Sequence, residues 1–79
     1  MRARWKYVCY IDENGDEVLE TFEPVIIHAR FVEREGIPRG RLVSAGFATA
    51  EGECYGRSTS LGISSRPRAD TALLRERIG

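Results

Sequence analysis

The parts of this sequence that could do chemistry are one histidine, one lysine and one run of small hydroxylic residues. His28, in Ile26-Ile27-His28-Ala29, can move a proton near neutral pH, because the ordinary histidine pKa is roughly 6.5. Lys6 is the sole lysine among twelve cations, the other eleven being arginine. The run is Cys54-Tyr55-Gly56-Arg57-Ser58-Thr59-Ser60-Leu61-Gly62. Gly56 lets backbone come close to a ligand, Ser58, Thr59 and Ser60 bring hydroxyl and amide donors, and Arg57 adds a fixed, forked positive charge. Donors and a guanidinium with no acid inside the stretch describe an anion pocket, above all for phosphate. The ordinary alternatives are a hairpin arm with an exposed polar loop and, for His28, a partly buried ring bonded to a backbone carbonyl.

Taken together, these parts suffice for phosphoryl transfer to water. Lys6 and the loop N–H groups would hold the phosphoryl oxygens, and His28 would take a proton from the attacking water or form a transient phospho-adduct. Other chemistries lack their parts. A metal site is not expected from one histidine and two distant cysteines, Cys9 and Cys54, with no H-E-x-x-H motif, and no cofactor is expected either. The acidic turn Asp12–Asp16 lacks the spacing of a calcium loop. Ser58 has no G-x-S-x-G surroundings for a serine hydrolase.

Composition narrows the setting. Twelve Lys and Arg balance twelve Asp and Glu, so there is no basic field and nucleic-acid binding is not expected. Seventy-nine residues make a single domain, 1–79, whose site must be shallow. Met1-Arg2-Ala3-Arg4-Trp5 has no apolar leader core, and no segment nears the roughly 18 apolar residues of a membrane helix. A cytoplasmic protein without membrane contact is expected, with Cys9 and Cys54 as buried free thiols rather than a disulfide.

The elements that must position these residues follow from periodicity. Arg4–Ile11 alternates, with Trp5, Tyr7, Cys9 and Ile11 on one face and Lys6, Val8 and Tyr10 on the other, which predicts a strand. Asn14-Gly15 predicts a hairpin turn, since both residues tolerate positive φ, and Glu17–Phe22 the returning strand. Pro24 predicts the opening of a first helix over Val25–Glu35, stopped by Gly36 and Pro38. Leu42–Ala50 and Glu53–Ser60 predict a second hairpin through Glu51-Gly52. Ser64 or Ser65 would cap a second helix with Pro67 in its first turn. Ala69, Leu73 and either Leu74 or Ile78 would form its apolar stripe, with Arg66 among the solvated arginines. The expected fold is α+β in the order β-β-α-β-β-α, a mainly antiparallel sheet with two helices packed on one of its faces.

In this order the residues resemble the small phosphohistidine phosphatases of the janus/ocnus type. Trp5-Lys6-Tyr7-Val8 is similar to that family's aromatic-Lys-Tyr-Val first strand. Ile27-His28-Ala29 is similar to its Tyr-His-Ala segment, and Tyr55-Gly56-Arg57-Ser58 with Gly62 to its Tyr-Gly-Tyr-Ser strand and following glycine. The resemblance implies that His28 is the general base and that Lys6 helps bind the phosphoryl group. It further implies that Ser58 and the backbone around Ser60 donate to phosphate. The sequence departs from the pattern at Ile27, which stands for the family's Tyr, and at Arg57, which stands for its second Tyr. Ser44-Ala45-Gly46-Phe47 stands where the family has a glycine run followed by Arg. The expected substrate is a phosphorylated protein or a small phosphoramidate. The rival expectations are a non-catalytic module binding a phosphorylated or anionic partner, and an interaction role through a sheet edge that forms a homodimer.

Overall fold

Strand β1 (Arg4–Ile11) lies inside an antiparallel sheet of order β2-β1-β3-β4, formed with β2 (Glu17–Phe22), β3 (Leu42–Thr49) and β4 (Cys54–Tyr55). The computed structural model describes residues 4–78, so Met1–Ala3 and Gly79 lie outside the described residues, as does the side chain of Ile78. Helix α1 (His28–Glu35) links β2 to β3 through a short 3₁₀ turn at Arg39–Arg41, and α2 (Pro67–Ile78) ends the chain. Between β4 and α2 stands a second, two-stranded sheet, β5 (Arg57–Ser58) with β6 (Ile63–Ser64). The α+β class and the order of the main elements are those expected. Among the described residues no helix is long and apolar enough to cross a membrane.

The alternation in β1 feeds two cores rather than one. Tyr7 and Val8 are adjacent and both fully buried, and neighbours in a strand point to opposite faces. Val8 joins Phe22, Phe31, Val32, Ile37 and Ala45 under α1. Tyr7 joins Leu19, Ala48, Cys54 and Leu74 under α2. The helices therefore pack on opposite faces of the sheet, not on one. The physical reason is that β1, β2 and β3 each carry large or tightly packed residues at both parities, so neither face can be left to water.

Three local expectations are corrected. The first helix starts at His28, not at Val25. Ile26 N–H bonds the Glu23 carbonyl in a turn, Lys6 Nζ donates to the Ile26 carbonyl at 2.9 Å, and Ile27 is extended at φ −71°, ψ 136°. Pro24 thus sits in the turn ahead of the helix. The hairpin expected between β1 and β2 is present, with Gly15 at positive φ and Asp12 Oδ1 accepting the N–H groups of Asn14 and Asp16. The stretch Glu53–Ser60 is not one strand, since it breaks at Gly56 into β4 and β5.

The third correction concerns the start of α2, which is anchored by Asp70 rather than by Ser64 or Ser65. Asp70 accepts the Arg66 N–H at 2.8 Å and the Arg66 guanidinium at 2.9 and 3.1 Å. Arg66 also donates to Glu17 at 2.9 Å, so it is pinned rather than solvated. Ala69 is exposed, and the buried side of α2 is Asp70 and Leu74, with Leu73 partly buried.

Candidate functional site

On the α1 face, Lys6 stands in β1 between Phe22 of β2 and Phe47 of β3, its register partners on either side. His28, the first residue of α1, meets the same two rings edge-on, at 5.4 Å from Phe22 and 5.9 Å from Phe47. Strand pairing thereby brings an amine and an imidazole together from positions 22 residues apart in sequence.

The third component arrives on the small hairpin β5–β6. Gly56 makes the break possible. Its φ of +79° is strained for other residues, and a Cβ there would lie 2.9 Å from Phe47 Cδ2. Past it, Gly62 N–H bonds the Ser58 carbonyl and Leu61 N–H bonds Ser58 Oγ at 3.1 Å, closing a tight turn with Thr59 and Ser60 at its tip. Leu61 and Ile63 pack onto the core under α1, which holds the tip against the start of that helix. Ser60 Oγ accepts the Ala29 N–H at 3.1 Å.

The result is a cleft of about 200 Å³ lined by Lys6, Ile27, His28, Phe47, Arg57, Thr59 and Ser60. Five of the seven residues singled out in the sequence therefore meet. Ser58 does not line the cleft. It is fully buried, and its hydroxyl, implied by the resemblance to be a phosphate donor, faces the turn instead. Gly56 acts through the backbone, by setting the direction of the hairpin and making room for Phe47.

Among the described residues no carboxylate lines this cleft, whereas Glu53, Glu17 with Glu20, and Asp12 with Glu13 line three larger clefts elsewhere on the surface. Two cations without a countercharge favour an anionic ligand. A third cation stands nearby, for the Arg4 guanidinium lies over the Phe47 ring at 4.7 Å. Phe47 and Arg4 were not legible as site residues from the sequence. The signal that finds them is the pairing of Lys6 with Phe47, a long-range register that local pattern does not reveal.

His28 is 4% exposed, and Nε2 lies 2.9 Å from the Gly46 carbonyl. A carbonyl only accepts, so Nε2 carries the proton and Nδ1 keeps the lone pair. Burial pushes the pKa of His28 below the ordinary histidine value. The Gly46 carbonyl opposes that shift and the Lys6 charge adds to it. The ring is consequently neutral at neutral pH and able to accept a proton.

Cys9 and Cys54 are free, buried thiols, Cys54 in the cluster under α2 and Cys9 against the Arg66 guanidinium. Burial pushes the Cys9 thiol up and the Cys54 thiol up to about 11, which leaves both poor nucleophiles. Among the described residues no three His, Cys, Asp or Glu side chains come together as metal ligands.

No protein-family model, no curated protein and no solved structure matches this chain.

Proposed function

We propose that the acid-free cleft binds a phosphoryl group and hydrolyses a phosphoramidate such as phosphohistidine. The single observation that supports this most is the meeting of Lys6, Arg57 and a neutral His28 around one small cleft without a carboxylate. Lys6 and Arg57 neutralise the phosphoryl oxygens. His28 takes a proton from water as the water oxygen bonds to phosphorus. The P–N bond breaks, and the leaving nitrogen receives a proton from solvent, giving inorganic phosphate and the free amine or imidazole. The order of motifs shared with the small phosphohistidine phosphatases supports the same chemistry. The two free thiols suit a reducing compartment such as the cytoplasm.

The test is phosphate release from a phosphohistidine peptide. Wild type should turn over, and His28→Ala should lose about 100-fold or more, the usual contribution of a positioned base. Lys6→Ala should fall by a similar factor through lost oxyanion stabilisation. Equal rates for wild type and His28→Ala would end the enzymatic reading.

A second reading, binding without turnover, is favoured by the burial of His28, since a ring only 4% exposed leaves little room for an attacking water. Under that reading, phosphate shifts the NMR resonances of Thr59 and Ser60 while no phosphate is released from the peptide.

A further inference from the structure

Val25 and Ile27 are 83% and 53% exposed, more than Trp5 at 44% or Tyr55 at 38%. Single exposed aliphatics are ordinary, but the position of Ile27 is not. Ile27 is the N-cap of α1 and makes no side-chain cap hydrogen bond. Isoleucine is among the poorest residues there, but the first amides of α1 are met without its side chain, the Ala29 N–H by Ser60 Oγ and the Arg30 N–H by the Ile27 carbonyl. The Ile27 side chain therefore has no capping duty, and it lines the cleft while 53% exposed, within reach of whatever a ligand held by Lys6 and Arg57 carries. Val25 lies two residues earlier in the loop that Lys6 ties down through the Ile26 carbonyl.

The cleft itself limits what it can hold. At about 200 Å³ it is smaller than the roughly 300–1,000 Å³ of pockets that enclose a whole ligand. It has room for a phosphoryl group and the group bearing it, and whatever carries them must lie outside, over the lip. Lys6 is partly buried in the cleft, and its exposed rim sets the apolar Ile27 beside the cationic Arg57 and the hydroxyls of Thr59 and Ser60. A polypeptide offers both complements within a residue or two, since consecutive Cα atoms are about 3.8 Å apart.

We propose that Val25 and Ile27 are specificity residues that select a phosphorylated polypeptide carrying a hydrophobic side chain next to the phosphorylated residue. This rests on the cleft being a phosphoryl site, and it adds the flanking sequence as a determinant. The apolar neighbour buries against Ile27 and Val25 while Lys6 and Arg57 hold the phosphoryl oxygens.

The experiment measures affinity by fluorescence anisotropy for two peptides bearing a non-hydrolysable phosphonate analogue of phosphohistidine, one flanked by Leu and one by Ser. Inorganic phosphate is titrated in parallel by NMR. Wild type should prefer the Leu peptide about tenfold, the order expected for partial burial of one such side chain. Val25→Ser should narrow that preference and leave the phosphate response unchanged. Ile27→Ser should narrow it as well, with a cooperative thermal transition like that of wild type showing that the variant folds, since Ser60 already accepts the Ala29 N–H. Equal affinity for both peptides, with phosphate still shifting Ser60, overturns the flanking-residue selection and leaves the phosphoryl site standing. No response to either peptide or to phosphate overturns both. Binding to phosphatidic-acid vesicles that Val25→Ser abolishes, without any preference between the peptides, overturns it in favour of a lipid surface.

Discussion

At His28 one interaction fixes the tautomer and another sets the pKa. The Gly46 carbonyl decides which nitrogen keeps the proton, and burial keeps the ring uncharged. The second effect has a consequence for stability. The unfolded chain takes up a proton at histidine near pH 6.5, roughly, while folded His28 resists until a lower pH. Below that value the unfolded state binds more protons, so stability falls with pH through this window and levels off once the folded ring is also protonated. Urea midpoints measured between about pH 7 and pH 5 should drop for wild type and drop less for His28→Gln. Parallel profiles would show that His28 is not held neutral by the fold. For the proposed hydrolysis, the same depression should place the acid limb of kcat/KM below roughly pH 6.5, where an ordinary histidine would begin to lose its base.

Among the elements, α2 owes its place on the sheet to a polar group as much as to Leu74. Asp70 is fully buried, accepts the Tyr7 hydroxyl at 2.5 Å, and receives Arg66 from the start of its own helix. Tyr7 is fully buried under α2, so water cannot replace the partner of its hydroxyl. Removing the carboxylate therefore takes the acceptor from a buried hydroxyl and from the Arg66 amide. Asp70→Ala should cost about 3 kcal/mol, at the low end for a broken buried pair because Arg66 is partly exposed and keeps Glu17. Tyr7→Phe should cost about 1.5–3 kcal/mol, the range for one hydrogen bond to a charged group. Denaturant midpoints of the two variants and their double mutant measure the coupling, and strict additivity would mean that the two groups do not act on each other. The hairpin β5–β6 shows the reverse case, in which a backbone device outweighs strand propensity. Cys54 and Tyr55 suit a strand, yet Gly56 at positive φ turns the chain out of the main sheet so that Thr59 and Ser60 reach α1.

For the molecule as a whole, a four-stranded sheet covered on both faces leaves two open edges, β2 and β4, and open edges invite pairing with another chain. Helix α2 reaches both. Thr71 Oγ1 accepts the Cys54 N–H on β4 at 2.9 Å, and Arg77 donates to the Leu19 carbonyl on β2. A homodimer through a sheet edge, expected from the sequence as one alternative, would have to displace one of these contacts. Thr71→Val keeps the shape and removes the acceptor, so it should increase self-association in sedimentation equilibrium at high protein concentration. An unchanged profile would show that Thr71 does not guard the edge. The same sheet carries the site on its α1 face and the Tyr7–Asp70–Arg66 network on its α2 face, so substitutions in the two regions should act independently on binding and on stability.

What could be read from the chain alone was local. Period-two alternation located β1 and β2, Gly36 and Pro38 ended α1, and the residue types of Lys6, His28 and Arg57–Ser60 pointed to a candidate anion site. These are short-range properties, set by backbone dihedrals and by the chemistry of single side chains. Tertiary structure decided three matters that no local window contains. It divided the alternating residues between two helices on opposite faces. It turned Ser58 inward while Ser60 reached Ala29, a choice made by Gly56 against Phe47. It set Lys6 between Phe22 and Phe47, so that two rings distant in sequence became the walls that hold His28 in place. Each depends on the pairing of strands far apart in the chain, where packing and register rather than propensity choose among the alternatives.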